Sequence, residues 1–600
     1  MQVSCKSQVD FYVSLCVQLI GDDPLGIAKS KDLQRDIEVV KSRCSNEGLS
    51  FLTKSLPQLG KALDQAFENS RFSTPIGFPT KKGRSTPAFL QAYFNLVFDE
   101  DGLLRKDACE DAVRHLRQVF FLAYKLENPY SNEEKEMVIS NFTQTDKDLE
   151  LLDDESSHNL IDYASHIISI LFAGFDPREV VPRHGPGAVA TGEKLDAKWL
   201  FRRKYQAIHQ VYPYYEYFMV GGSRELTDRL AWYNGLEDHI SGTAKVVLVP
   251  KDSRGPRLIS CEPLEYQWLQ QGLGRKLVSH LESHWLSRGQ INFTHQRINQ
   301  ELATSNSVTR RYATLDLKDA SDRVSLRLVR GVFRRTPELA LRLEALRSTA
   351  TRLPNGDVIT LNKYAPMGSA LCFPVEATVF WAIMVAAVRL SLDVPFERAA
   401  RRIYVYGDDI VVPSSWSNVC MEALESVGLI VNRNKSYIKG PFRESCGVDA
   451  FNGINVTPLR LKKPWTGRPS DGTAYASYTS LANRLLARGY KSASSFLWKE
   501  LEHVYGKIPY GVSTSPFPCH EVSSALLANV LNKDKGFKYR WNAHYHRLEF
   551  RVRRLSNRRR RTRLDDWARL LRDLVSPPFE DPSRVVLPLS TRIKSGWASV

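Results

Sequence analysis

No Cys-x-x-Cys pair occurs in the 600 residues, and the nine cysteines are odd in number and scattered. That argues against a zinc site and against a disulfide framework, and it suits a reducing cytoplasm. Long apolar runs are missing too: the longest, Val379 to Val388, has ten residues, too few to span a bilayer. Asp10, Asp22 and Asp23 interrupt the apolar residues of the N-terminus, and no basic leader precedes an apolar stretch, which speaks against a signal peptide. Internal repeats and extended low-complexity tracts are also absent, which sets aside repeat architectures.

Acidic residues are in short supply. Asp and Glu number 66 against 83 Lys and Arg, a formal net charge of +17. That excess favours a polyanionic partner, nucleic acid before an anionic membrane surface. Hydrophobic content of 43% and charged content of 25% are those of a soluble globular protein with a large core, and the length alone suggests about four domains.

Tyr404-Val405-Tyr406-Gly407-Asp408-Asp409-Ile410-Val411-Val412 reads as two strands joined by a tight turn. Adjacent acids at a turn are ordinarily just solvated, but these are hemmed by apolar strands. Two carboxylates about 4 Å apart repel by about 4 kcal/mol at an effective dielectric near 20, so a partly buried pair calls for a cation. Hard divalent ions such as magnesium take carboxylate oxygens together with substrate phosphates. The expectation is a metal-dependent phosphoryl-transfer site.

Such a site needs cations and a third acid elsewhere. Residues 1 to about 175 look mainly helical and name no chemistry. Arg183-His184-Gly185-Pro186-Gly187-Ala188 is a glycine-proline loop in which His184 reads as structural rather than catalytic. Lys245 to Ile259 forms two strands around a turn with Lys251, Arg254 and Arg257, either solvated charges on a ribbon or the group of cations a polyphosphate leaving group requires. In Arg311 to Asp322, Asp316 lies near a strand end, and Asp322 lies where a helix with Leu326, Val329 and Val332 begins, so Ser321 or Asp322 is also a candidate N-cap. Pro337 to Ala350 reads as a further helix. Gly368-Ser369 is a flexible turn before the apolar helix around Val379 to Val388, suited to close approach by backbone or phosphate; Glu376 near that helix is either solvated or part of the site. With the helix Asn418 to Val427 and the strand-like Lys435 to Ile438, the alternation is α+β with an antiparallel central hairpin.

Asp316, Gly368-Ser369 and Tyr406-Gly407-Asp408-Asp409 stand in the order and approximate spacing of palm motifs A, B and C of RNA-dependent RNA polymerases. Gly440-Pro441-Phe442-Arg443-Glu444-Ser445-Cys446-Gly447 with Val456-Thr457-Pro458, the Arg183 to Ala188 loop and Ile298-Asn299-Gln300 resemble more narrowly the replicase subunit of the small RNA bacteriophages, the leviviruses. The resemblance covers roughly residues 180 to 465. Motif B of the broad pattern has threonine and asparagine where this chain has Cys372 and Glu376; glutamate at 376 is similar to the phage branch.

The resemblance implies a right-hand polymerase: an N-terminal region and fingers over 1–240, fingers with a basic triphosphate-binding loop over 241–310, a palm with an antiparallel sheet packed on helices over 311–460, and a thumb with a basic C-terminal region over 461–600. It implies RNA copied from RNA without a primer in the cytoplasm of an infected bacterium, with RNA template and product, ribonucleoside triphosphates, and host elongation factors Tu and Ts and an RNA-binding ribosomal protein as partners. No membrane is implied. Asp316, Asp408 and Asp409 would hold two Mg2+ ions, with Mn2+ as a substitute, and Lys435 would protonate the leaving pyrophosphate. Lys251, Arg254, Arg257, Asp322, Gly368, Ser369 and Glu376 would bind the nucleotide. Arg558, Arg559, Arg560 and Arg561 form a charge run between a strand-like stretch, His546 to Arg554, and a helical one around Trp567, Leu570, Leu571 and Leu574, and are expected to contact RNA. A reverse transcriptase would use the same palm chemistry, and a non-catalytic RNA-binding assembly subunit would leave the acidic hairpin solvated.

Overall fold

A computed structural model describes residues 5–151, 157–219, 227, 229–527, 538–557, 566–575 and 591–599. Its order is a helical N-terminal third, mixed helices and short sheets through the middle, two long helices and a small C-terminal sheet. The α+β expectation holds at that level.

The centre is the helix Cys372–Leu392, apolar on every side and buried from Val375 to Val388, as an all-round hydrophobic helix must be. The ten-residue run noted in the sequence is part of this 21-residue helix, which has the length and composition to cross a bilayer; its apolar window is 78% buried inside the protein. Helices His158–Leu171 and Ser417–Ser426 pack against it, as does the strand Tyr404–Tyr406. Beside it lies a three-stranded antiparallel sheet in which Asp409–Pro413 is central, flanked by Tyr312–Leu315 and Tyr404–Tyr406.

A second sheet has four strands, in the order Gly255–Cys261, Thr243–Asp252, Ala350–Arg352, Val358–Thr360. The helix Pro337–Ala345 therefore ends before Ala350, which pairs with Thr243 instead. Phe142, on the helix Asn132–Asp148, packs with Val246 and Leu258 of this sheet and with Leu353 and Leu361, which directly follow its other two strands. A capping box, Ser131 with Glu134, starts that helix by satisfying two donors of its first turn.

Two large cores result. One surrounds the long apolar helix and runs from Ile161 to Val431. The other joins the N-terminal helices, from Phe11 to Leu126, to Tyr437, Phe442, Phe451 and the helices Gly472–Ala487 and Lys491–Tyr505.

Candidate active site

Leu315 lies opposite Ile410 in the antiparallel pair, so the next residues outward, Asp316 and Asp409, leave the sheet side by side. Gly407 and Asp408 make the two-residue turn before Asp409, which pairs back to Tyr406. Gly407 has φ +62°, and a Cβ there would sit 2.0 Å from the Phe373 ring; only glycine meets both conditions. Asp408 is exposed at the tip, and Asp316 and Asp409 are half-buried.

Each half-buried acid has a protein donor on one oxygen. Asp409 Oδ1 accepts from the backbone N–H of Cys446 (2.9 Å) and from Ser445 Oγ (3.4 Å). Cys446 and Gly447 have φ +49° and +76°, the positive pair of a tight hairpin turn, which aims that N–H. Asn299 Nδ2 donates to the Asp409 carbonyl (3.1 Å) and Gln300 Nε2 to the Cys446 carbonyl (3.0 Å), so the Ile298-Asn299-Gln300 stretch fastens the acidic hairpin to the next one. Burial pushes Asp409 up to about 6, with Asp408 and Asp316 adding to it against the Cys446 hydrogen bond.

Asp316 is served by residues 430–437, which run alongside its strand through bridges at Thr314–Tyr437 and Leu317–Val431. Asn432 Nδ2 donates to Asp316 Oδ2 (2.7 Å), and Lys435 Nζ lies 3.9 Å from the same oxygen. Burial raises the Asp316 carboxyl, opposed by Lys435 and Asn432 and reinforced by Asp408. Burial works against the Lys435 charge, but Glu444 and Asp316 more than offset it and lift its pKa above the usual lysine value. Lys435 is thus an ammonium at neutral pH.

Asp322 is not the cap of the helix Leu326–Phe333; Ser325 is, its Oγ accepting from Leu328 N (2.9 Å). Asp322 closes a separate short turn, Ala320–Arg323, and accepts from Lys363 Nζ (3.1 Å). Lys363 is fully buried, lies 3.8 Å from Asp146 and stands 3.6 Å from the centre of the Phe142 ring. Burial lifts the Asp322 carboxyl above its ordinary value despite Lys363. Glu376 is likewise not solvated. It is buried on the long helix, where Cys372 Sγ donates to it (3.8 Å), and burial followed by the charge of Asp408 holds it well above the carboxylate range.

Gly368 has φ +130°, and its missing Cβ would fall 2.1 Å from the carbonyl oxygen of Ser260. The close approach expected at this turn is made by backbone of the basic hairpin, whose Ser260 N donates to Met367 O (2.8 Å). Ser369 Oγ accepts from Leu371 N (3.3 Å) just before the long helix.

Of the hairpin cations, Lys251 is the one that bears on the acids. Lys251 acts on Asp316, and Arg254 acts on Lys435. Arg254 is forked onto Asp252 (3.1 and 2.8 Å) and lies over the Tyr124 ring. Arg257 sits opposite Val249, and burial followed by Arg257 lowers the pKa of Lys251. Lys61, which drew no notice in the sequence, also stands over Tyr124, 5.4 Å from its centre, and feels both Arg254 and Lys435. His184 sits in an aromatic nest of Trp199, Phe201 and Trp268, and burial drops its pKa to about 3. Arg558, Arg559, Arg560 and Arg561 lie outside the described residues, between the strand Arg547–Asn557 and the helix Asp566–Val575.

Three carboxylates leaving one sheet end, two of them raised by burial and mutual repulsion, form an all-oxygen donor set suited to a hard divalent cation, Mg2+ or Mn2+. Among the described residues no three Asp, Glu, His or Cys side chains close into a cage of their own, and magnesium commonly completes its shell with water and phosphate oxygens.

The description "RNA replicase, beta-chain" matches residues 148–470, more than half of the chain. The chain belongs to the RNA replicase beta-chain family. Asp316, Asp322, Glu376, Asp408, Asp409, Lys435 and the hairpin cations Lys251, Arg254 and Arg257 fall inside the matched span, whereas Lys61 and Asp146 lie before it. Relatives include the RNA-directed RNA polymerase subunit beta of Enterobacteria phage SP, 37% identical over 220 residues (37% of this chain, 36% of that protein). That of Escherichia virus Qbeta is 37% identical over 223 residues, with the same shares. The beta chain of Enterobacteria phage fr is 31% identical over 296 residues, 48% of this chain and 50% of that protein. The chain thus spans little more than a third of the length of the SP and Qbeta proteins. In backbone shape it aligns with the BmCPV RNA-dependent RNA polymerase at elongation state over 88% of this chain and 50% of that one, at TM-score 0.40 and 12% identity, a likeness too distant to argue from.

Proposed function

We propose that this chain is an RNA-directed RNA polymerase that copies RNA from ribonucleoside triphosphates and starts without a primer. The observation that carries this reading is the meeting, in a replicase beta-chain, of Asp316, Asp408 and Asp409 at one sheet end, with Lys251 of the basic hairpin acting on Asp316. We read the three-stranded sheet and its helices as the palm (about 311–460), the segments before it as N-terminal region and fingers (1–240 and 241–310), and 461–600 as thumb and C-terminal region. RNA, host elongation factors Tu and Ts and an RNA-binding ribosomal protein are the proposed partners, in the cytoplasm of an infected bacterium.

Asp316, Asp408 and Asp409 would hold the divalent ions. When bound, two such ions lower the pKa of an attacking 3′-hydroxyl and offset charge on the leaving oxygen. The rest falls to the chain. Lys251, Arg254 and Arg257, with Lys61 behind them, offset the charge of the triphosphate and fix its direction. Lys435, kept protonated beside Asp316, gives its proton to the departing pyrophosphate. Asp322, held by Lys363, accepts from the ribose 2′-hydroxyl, and Glu376 and the Gly368-Ser369 turn bound the sugar's side of the site. Arg558 to Arg561 would bind template or product RNA through phosphates.

The test is polymerisation of labelled ribonucleotides on an RNA template, with and without host extract. Asp408→Asn and Asp316→Asn should each lower it by at least about 100-fold, by loss of transition-state stabilisation, with RNA affinity nearly unchanged. Near-normal turnover in either variant, or equal use of deoxynucleotides by the wild type, would overturn the reading.

A further inference from the structure

The turn that carries two of the hairpin cations is held from outside its own sheet. The ladder between Thr243–Asp252 and Gly255–Cys261 shifts register between Val249 and Asp252, and such an irregularity leaves backbone groups without their cross-strand partners. Tyr130 serves the gap. Its hydroxyl accepts from the Lys251 N–H (3.1 Å) and donates to the Asp252 carbonyl (3.0 Å), so one side chain spends both its hydrogen-bonding capacities on the two residues where the ladder shifts. The next residue is fastened to the same part of the chain: Ser253 N donates to the Tyr124 carbonyl (3.1 Å) and Ser253 Oγ to the Thr53 carbonyl.

Tyr130 is itself a fixed point. It stands just before the helix Asn132–Asp148, whose capping box begins at Ser131, and that helix lies along the same hairpin. A Cβ on Gly255 would come 3.3 Å from Val138, and Phe142 packs with Val246 and Leu258. Asp252, whose carbonyl Tyr130 holds, is buried and turns its carboxylate to Arg254, accepting from the backbone N–H (3.0 Å) as well as from the guanidinium fork. The hydroxyl therefore bears on both cations of the turn, on Lys251 through its own backbone and on Arg254 through Asp252. Thr53, Tyr124 and Tyr130 all precede residue 148, where the replicase beta-chain match begins.

We infer that Tyr130 is a positioning residue for the triphosphate: its hydroxyl sets where Lys251 and Arg254 stand, and the N-terminal region thereby completes the nucleotide site. The inference rests on the reading of those two cations as triphosphate ligands, but not on RNA synthesis. Cations fixed in advance give up less freedom when polyphosphate binds, so the gain appears as affinity. A tyrosine that only stabilised the fold would leave that affinity alone in every folded variant. One that aims cations matters to polyphosphate only as far as those cations are present.

The probe is inorganic tripolyphosphate with magnesium, titrated into the full chain without template. Tyr130→Phe keeps the ring and removes the hydroxyl, and it should weaken tripolyphosphate binding by roughly 2- to 12-fold, the range for one net hydrogen bond. In a chain already carrying Lys251→Ala, the same change should cost less than it does alone, as expected of residues that act through one another. Where RNA is made, the KM for ribonucleotides should rise by the same factor, with kcat moving less. Amide hydrogen exchange supplies the reading if the variant does not fold: on the unaltered chain the N–H of Lys251, an exposed residue, should be protected, and in folded Tyr130→Phe it should exchange faster. Unchanged tripolyphosphate affinity in the folded variant, equal losses with and without Lys251→Ala, or an unprotected Lys251 amide in the unaltered chain would overturn the proposal. An unaltered chain with no affinity for tripolyphosphate would remove the triphosphate role of the hairpin and this inference with it. A chain that binds tripolyphosphate as described yet makes no RNA removes the polymerase reading and leaves Tyr130 in its role; RNA synthesis with an affinity indifferent to Tyr130 removes the inference alone.

Discussion

Lys363 holds a positive charge where no solvent reaches it, between Asp322 at 3.1 Å and Asp146 at 3.8 Å. Asp146 in turn accepts from the backbone N–H groups of Asn362 and Lys363, so the lysine is fixed from the helix Asn132–Asp148 and passes that rigidity to Asp322. A carboxylate held in this way can accept from a 2′-hydroxyl, and a deoxynucleotide would leave it unpaired. Asp322→Ala should therefore narrow the preference for ribonucleotides by about 10-fold or more, read as the ratio of ribo- to deoxynucleotide incorporation; an unchanged ratio would reduce Asp322 to a fold residue. Glu262 offers a test of another kind. It is fully buried, with Ser348 Oγ donating to it, and burial pushes its pKa up to about 7 from 4.5. The folded state then binds a proton that the unfolded state has released, so the stabilisation is complete below about pH 4.5 and is lost as pH rises through about 7. The difference is on the order of 3 kcal/mol for this one group. Glu262→Gln should hold that stabilisation at all pH values, and the gap between its denaturation midpoint and that of the wild type should widen from pH 5 to pH 8.

Elements, not single residues, decide how the acidic hairpin meets the basic one. Gly368 lets the backbone of Ser260 come within a distance no Cβ allows, which seats the strand Gly255–Cys261 against the start of the long helix. Gly368→Ala should cost at least about 2 kcal/mol through strain and displacement, seen as a lower urea midpoint with an unchanged slope. The hairpins were legible in the sequence because β-branched and aromatic residues flank glycine turns, as at Tyr404 to Val412 and Lys245 to Ile259. The helix cap at Ser325 was not, since Ser321, Asp322 and Ser325 are all acceptable caps within five residues, and the backbone turn between them selects one. Glu376 gave no sign of its burial because a helix apolar on every side has no polar face on which to place a lone acid. Lys61, Asn432 and Lys363 escaped notice for a simpler reason: they reach the site from other segments, and no local pattern marks a contact made between residues far apart in the chain, 41 residues for Lys363 with Asp322 and 116 for Asn432 with Asp316.

For the whole molecule, the seam between the N-terminal helices and the segment after the sheet is pinned at Arg117. This buried guanidinium pairs with Asp64 and Asp449, donates to the Val456 carbonyl and lies over the rings of Phe121 and Phe442. Arg117→Met would strand Asp64 and leave Asp449 only Arg460, at 3.5 Å, and should lower stability by about 3–5 kcal/mol, measured as a fall in the denaturation midpoint. Restoring it by adding Asp64→Asn and Asp449→Asn would locate the cost in the unpaired acids; no fall at all would show that the seam does not depend on the pair. That second core also sets a schedule. Phe67, on a helix made early, waits for Phe442 and Phe451, and the buried core it belongs to also includes the later Tyr505 and Ile508. At 5–20 residues per second the ribosome needs roughly 20–80 s to travel from Leu126 to Ile508. Through that interval the newborn N-terminal helices carry an open aromatic face, so the nascent chain, far more than the finished one, is the form that needs a chaperone.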